Sequence, residues 1–124
     1  MTTFYIGDDL EVVEGAGREV AVVALGGEVD YEVSPQLKAH LSRAIGAGRH
    51  RLVLDLSDVT FIDSTAIGVI AGALERLDPA AGESIAIVSD HDKVLEILEI
   101  TGLDSVISVH ATREEALSAV TPAR

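Results

Sequence analysis

The stretch VTFIDSTAIGVIAG, residues 59–72, joins an apolar run to an uncharged segment with helical spacing. The first run ends at three small polar residues, Asp63, Ser64 and Thr65. Apolar residues then recur at the period of an amphipathic helix, which predicts a helix over 64–77 that packs one side on a core. Strands followed by helices in this way are typical of an α/β domain.

Further strands and helices are predicted on both sides of this stretch. Residues 3–15 and 18–27 are β-like and are joined around Gly15 and Gly17, which predicts an antiparallel hairpin. Three more strands are predicted at 50–57, 83–89 and 104–110, and three more helices within 33–48, 90–102 and 112–120. The sequence therefore predicts a mixed β-sheet, an N-terminal hairpin plus parallel strands, packed with about four helices.

Small polar residues mark the predicted helix starts. Ser34, directly before Pro35, is expected to cap the helix that follows the second strand. Thr112 is expected to cap the last helix. For the helix over 90–102, either Ser89 or Asp90 is the expected cap, and Gly102 is the expected stop.

Composition indicates one compact domain over residues 1–124, with an ordered core of about 4–120. Apolar residues make up 48% of the chain, and it contains no cysteine. The formal net charge of −12 argues against nucleic acid or an anionic membrane as a partner. No basic, apolar leader and no run of membrane-spanning length is seen, so the expected location is the cytoplasm.

The sequence gives little support for catalysis or for metal binding. The four histidines, at 40, 50, 91 and 110, lack metal-ligand spacing, and the glycine-rich turns lack a phosphate-loop pattern, so no metal and no cofactor is expected. The segment around Ser64 lacks the flanking glycines of a nucleophile elbow. The protein is therefore expected not to be an enzyme.

Two interpretations of Ser64 remain open from the pattern. Ser64 or Asp63 is suited to cap the helix that follows. A helix N-terminus also stabilises an added phosphate, so phosphorylation of Ser64 would add charge without unfolding the domain. Asp30 follows the second strand and Asp63 the third, so both are expected on the same edge of the sheet.

The helix after Ser64 carries no charge before Glu75. Its predicted core stripe comprises Ile67, Ile70, Ala71, Leu74 and Leu77, and its predicted outer face comprises Thr65, Gly68, Val69, Gly72 and Ala73. Small apolar residues on an outer face suit a docking surface for another protein. Equally, neighbouring loops or helices would cover this face, or the two glycines would allow tight packing within the domain, and the pattern does not choose between these interpretations.

Three segments resemble the STAS domain of the anti-sigma factor antagonist class. They are GEVD at 27–30, VLDLSDVTFIDSTAIGVI at 53–70 and LEITGLDSVISVHATREEAL at 98–117, in the family's order. The resemblance implies a single STAS domain with a mixed sheet and helices.

The resemblance also implies a mechanism of partner switching. Such antagonists bind an anti-sigma factor that is a serine kinase, which frees the sigma factor, and phosphorylation weakens the complex until a serine phosphatase restores it. The position of the family's phosphoacceptor is Ser64 here, and Asp30 is expected beside it. The residues expected to bind the partner are Asp30, Asp63, Ser64, Thr65, Gly68, Val69 and Gly72. Ala66 departs from the glycine that many family members have, which adds a methyl group beside the acceptor.

STAS domains also serve elsewhere, which leaves an alternative. The chain would then be a constitutive assembly or regulatory module of a stress-signalling or transporter complex, with Ser64 as a cap only. A third, weaker hypothesis is a sensor domain for a small ligand or nucleotide.

Overall fold

The computed structural model describes residues 4–13 and 18–120. The turn that the sequence predicts around Gly15 and Gly17 lies outside these ranges. In the described residues the strands are β1 (Phe4–Val13), β2 (Arg18–Val29), β3 (Arg51–Ile62), β4 (Ser84–Val88) and β5 (Ser108–His110). The helices there are α1 (Ser34–Gly46), α2 (Ser64–Glu75), α3 (Asp92–Ile100) and α4 (Arg113–Val120), with short 3-10 turns at Pro79–Ala81 and Leu103–Ser105.

The strands form one sheet in the order of the chain, from β1 to β5. β1 pairs antiparallel with β2, and the pairs from β2 to β5 are parallel. This confirms the predicted α/β fold with a mixed sheet, an N-terminal hairpin and four helices. Because β2 and β3 are parallel neighbours, their carboxyl ends meet at one edge of the sheet.

Two apolar clusters place the helices on opposite faces of the sheet. The larger cluster joins α1, α2 and α3 to one face, through residues such as Leu37, Ile70 and Leu98. The smaller cluster joins Ala116 and Val120 of α4 to the other face. Each strand residue in the middle of the sheet is therefore buried whichever face it points to, which explains the continuous apolar runs.

The caps of the first and third helices differ from those predicted. Ser34 is the first residue of α1 rather than its cap, and its hydroxyl donates a hydrogen bond of 2.9 Å to the carbonyl of Asp30. The cap of α3 is His91, whose Nδ1 accepts from the N–H of Lys93, rather than Ser89 or Asp90. The observed cap thus lies one residue before Ser34 in α1, and one residue after Asp90 in α3.

The cap of α4 is as predicted. The Thr112 hydroxyl accepts from the N–H of Glu115 at 3.2 Å and donates to the Glu115 carboxylate at 3.0 Å. The Thr112 side chain thus satisfies one of the first N–H groups of α4, as an N-cap residue does.

The prediction of the last strand is wrong over most of its length. Residues 104–110 were expected to be extended, yet only Ser108–His110 pair with β4. The carbonyl of Leu103 instead accepts the N–H groups of Val106 and Ile107, which makes a turn. Leu103 and Ile107 are both buried in the larger cluster. Residues at i and i+4 lie on the same side of a helical turn, so the turn allows both side chains to pack in the core.

Candidate functional site

The carboxyl ends of β2 and β3 bring Asp30 and Asp63 to the same edge of the sheet. Val29 pairs with Ile62 in the parallel ladder, and the N–H of Asp63 donates to the carbonyl of Val29 at 3.1 Å. Asp30 and Asp63 thus each follow directly on a paired residue. The structure places them together as the sequence predicted.

Asp30 organises the turn that leads into α1. Its Oδ1 accepts the N–H of Glu32 at 3.0 Å, and its carbonyl accepts the N–H groups of Val33 and Ser34. The half-buried Asp30 side chain is therefore held at the edge by the start of α1, next to the start of α2.

Asp63 is the N-cap of α2. Its backbone is extended, with φ −104° and ψ 175°, and its Oδ1 accepts the N–H of Ala66 at 3.0 Å. Ser64 is the first residue of the helix and its side chain is exposed. Of the two residues that the sequence predicts as possible caps, Asp63 therefore caps the helix and Ser64 does not.

Capping by Asp63 leaves the Ser64 side chain on the surface at the positive end of α2. The first N–H groups of a helix and its macrodipole favour negative charge at this position. A phosphate on Ser64 would benefit from both, while the two neighbouring carboxylates would make the edge strongly acidic.

The outward face of α2 agrees with the prediction except at Ala73. Thr65, Gly68 and Gly72 are exposed and Val69 is half-buried, whereas Ala73 is only 6% exposed. Of the predicted core stripe, Ile67, Ile70 and Leu77 are buried, and Ala66 and Ala73 are buried in addition. Ala71 and Leu74, expected in the core, are half-buried. The buried face is rotated because α2 packs against α1 as well as against the sheet.

Gly68 and Gly72 are not needed for packing within the domain. A methyl group built on either glycine would meet no atom of the described part of the chain within 4 Å, and neither glycine has a positive φ. The interpretation that these glycines allow tight packing inside the domain is therefore wrong. They instead leave an open depression on the surface of α2.

This depression is part of a groove between α1 and α2, with a volume of about 340 Å³. Lys38, Leu41 and Ser42 line it from α1. Residues of the outer face of α2 line the other side, and Arg76 closes one end, where its guanidinium donates to the Ser42 hydroxyl at 3.3 Å. Sequence analysis missed Lys38, Ser42 and Arg76, because nothing local indicates that α1 lies beside α2.

Two exposed aromatic residues lie at the same edge as Asp30 and Asp63. Tyr31 is 66% exposed in the turn after β2, and Phe61 is 44% exposed near the end of β3. Sequence analysis missed both. Their rarity was an available signal, because the chain has only two Phe and two Tyr.

Elsewhere, His50 has a local role. His50 lies between two acceptors, with Nδ1 2.9 Å from the Glu83 carboxylate and Nε2 3.1 Å from the Ile45 carbonyl. The hydrogen bond from the N–H of Asp78 to the Glu83 carboxylate lowers the pKa of Glu83. His50 lowers this pKa further, whereas burial acts in the opposite direction.

Within residues 4–13 and 18–120, no three His, Asp or Glu side chains are grouped as metal ligands would be. No helix in those ranges is both long and apolar enough to cross a membrane.

Comparison with known proteins gives consistent similarities. A family model described as the STAS domain matches residues 9–116. The chain is 28% identical over 109 residues to the anti-sigma F factor antagonist of Lysinibacillus sphaericus, covering 87% of this chain and 92% of that one. A crystal structure of an anti-sigma factor antagonist from Mycobacterium paratuberculosis superposes with a TM-score of 0.80 at 27% identity, over 95% of this chain and 96% of the other. The phosphorylated form of the Bacillus cell fate determinant SpoIIAA superposes with a TM-score of 0.61 at 27% identity, over 92% and 99% of the two chains.

Proposed function

The chain belongs to the STAS domain family and to its anti-sigma factor antagonists, and from this we propose that it is a protein switch controlled by phosphorylation of Ser64. Unphosphorylated, it binds an anti-sigma factor that is a serine kinase, and the sigma factor is released. Phosphorylated, it loses that partner. A serine phosphatase returns it to the binding form.

The observation that carries this proposal is the division of roles at the start of α2. Asp63 caps the helix, so the exposed Ser64 side chain is available to a kinase without loss of the cap. In the transfer, the Ser64 oxygen forms a bond to the γ-phosphorus of ATP and the bond from that phosphorus to ADP breaks. The hydroxyl proton leaves to a base that the kinase supplies. The antagonist itself contributes no catalytic group.

The binding surface in this proposal is the edge of the sheet together with the outer face of α2. It comprises Asp30, Asp63, Ser64, Thr65, Gly68, Val69 and Gly72. A phosphate adds about −1.5 to −2 charges beside Asp30 and Asp63. Binding then weakens by repulsion and by the cost of desolvating the phosphate, while the helix end stabilises it within the free protein. Since a sigma factor and an ATP-dependent kinase are the proposed targets, the proposed place of action is the cytoplasm.

The test is phosphorylation by the cognate anti-sigma factor kinase with labelled ATP. We expect one phosphate on the wild-type chain and none on Ser64→Ala, with Ser105→Ala, at an exposed serine outside the binding surface, as the matched control that keeps full labelling. Labelling that persists in Ser64→Ala would refute the assignment of the site.

A binding measurement tests the switch itself. Ser64→Glu should bind the kinase at least about tenfold more weakly than wild type, which corresponds to about 1.4 kcal/mol. Ser64→Ala should bind like wild type and should not be released when ATP is added. Release of Ser64→Ala by ATP would show that something other than this phosphate ends the complex.

A further inference from the structure

The groove between α1 and α2 contains two glycines for which the fold itself has no use. Glycine inside a helix costs about 1 kcal/mol relative to alanine. Gly68 and Gly72 have ordinary helical backbones and open space where a Cβ would be, so no contact within residues 4–13 and 18–120 compensates for this cost. The depression that they leave is therefore explained by something outside the domain.

The charge of the groove indicates what that occupant carries. Among the residues that the structure describes, Lys38 and Arg76 line the groove and no Asp or Glu does, in a chain with 21 acidic and 9 basic residues. The Arg76 guanidinium bonds to Ser42 through one nitrogen, and a guanidinium has five N–H donors. Donors thus remain for a carboxylate, which pairs well with arginine.

The groove and the start of α2 therefore differ in charge. Asp30 and Asp63 lie at the start of α2, whereas Lys38 and Arg76 line the groove and the acidic Glu75 is outside its lining. A partner whose basic side meets the acidic start of α2 and whose acidic side meets the cationic groove binds in one orientation only. Such polarity directs which part of the partner lies next to Ser64.

We propose that the groove is a socket for one segment of the kinase partner, an inference that rests on the proposed function. An apolar side chain of that segment fills the depression over Gly68 and Gly72. An Asp or Glu of the same segment lies between Lys38 and Arg76. These contacts set the orientation in which the kinase presents its active site to Ser64.

The first test fills the socket. Gly72→Leu places a side chain in the depression and replaces glycine by a better helix former, so its midpoint of thermal unfolding should equal or exceed that of wild type. Its affinity for the kinase that labels Ser64 should fall by about tenfold or more in calorimetric titration. The matched control is Gly46→Leu, at the end of α1, where the added Cβ also meets nothing within 4 Å and where affinity should be unchanged.

The second test removes the charges. The double variant Lys38→Gln with Arg76→Gln should bind the kinase about three- to tenfold more weakly, and its affinity should depend less on NaCl concentration than that of wild type. The exposed Lys93→Gln on α3 is the control, and it should change neither the affinity nor its salt dependence.

The outcomes separate the two proposals. If the kinase labels Ser64 and binds Gly72→Leu as tightly as wild type, the socket is refuted and the phosphorylation switch stands. If no serine kinase labels Ser64, the proposed function fails and the socket assignment fails with it. If Gly72→Leu weakens binding but the double charge variant does not, the acidic part of the proposed segment is wrong.

Discussion

At the start of α2, neighbouring side chains have separate roles. The Asp63 carboxylate accepts the N–H of Ala66, whereas the Ser64 side chain is exposed. With Asp63 as the cap, modification of Ser64 is expected to change the surface charge and leave the helix start intact.

The capping role of Asp63 predicts a measurable loss of stability. Asp63→Ala should lower the free energy of unfolding by about 1 kcal/mol, because the N–H of Ala66 loses its acceptor. Urea denaturation followed by circular dichroism measures this change. Asp63→Asn is the matched control and should stay close to wild type, since asparagine caps about as well as aspartate. An Asp63→Ala variant as stable as wild type would contradict the assignment of the cap.

At the scale of elements, α4 is attached to the sheet by an ion pair as well as by apolar contacts. Arg113, the first residue of α4, donates from Nε at 3.0 Å and from Nη2 at 2.7 Å to Oδ2 of Asp55 on β3. Burial raises the pKa of Asp55, but hydrogen bonds from Ser57 and the Arg113 guanidinium lower it by more. The pKa of this carboxyl is therefore below its ordinary value of 3.8.

This lowered pKa predicts a pH-dependent contribution to stability. A carboxyl with a depressed folded-state pKa stabilises the fold above its unfolded pKa, and that stability is lost as the pH falls through the folded value. Asp55→Asn should therefore lower the free energy of unfolding by about 1–2 kcal/mol at neutral pH. The difference from wild type should shrink as the pH falls below 3.8.

Urea denaturation at a series of pH values measures this effect. Glu114→Gln, an exposed position in the first turn of α4, is the control and should differ little from wild type at any pH. A deficit of Asp55→Asn that stays constant down to strongly acidic pH would mean that the loss comes from packing rather than from charge.

At the scale of the whole molecule, the chain has 21 acidic residues and only 9 basic ones. Such an imbalance destabilises a compact state through self-repulsion. Raising NaCl from about 0.05 M to about 0.5 M shortens the screening length, so it should stabilise the fold at neutral pH. A gain of about 1 kcal/mol corresponds to a rise of about 3–6 °C in the unfolding midpoint.

Thermal unfolding at both salt concentrations measures this rise. The control is the same pair of measurements near pH 4.5, where the net charge is close to zero and salt should have little effect. An equal rise at both pH values would mean that salt acts on apolar burial and not on the excess of negative charge.

Local patterns were sufficient for most of the architecture. Apolar runs indicated β2, β3 and β4, and helical spacing indicated all four helices, because burial on a sheet imposes these periods directly on the sequence. The meeting of Asp30 with Asp63 also followed from the sequence, since both come directly after strands that are parallel neighbours. Residue type alone did not determine which of two adjacent polar residues caps a helix, as at Asp63 and Ser64.

By itself, then, the sequence of this protein determined the order of its elements, its acidic character and the edge on which Ser64 lies. These features depend on the residues of short segments and on the direction of the chain. Only the tertiary structure decided that Ala73 is buried, that Leu103–Ser105 is a turn and that Lys38 and Arg76 share a groove. Each of these depends on contacts between segments that are distant in the chain, and the packing of α1 beside α2 sets which face of a helix remains open.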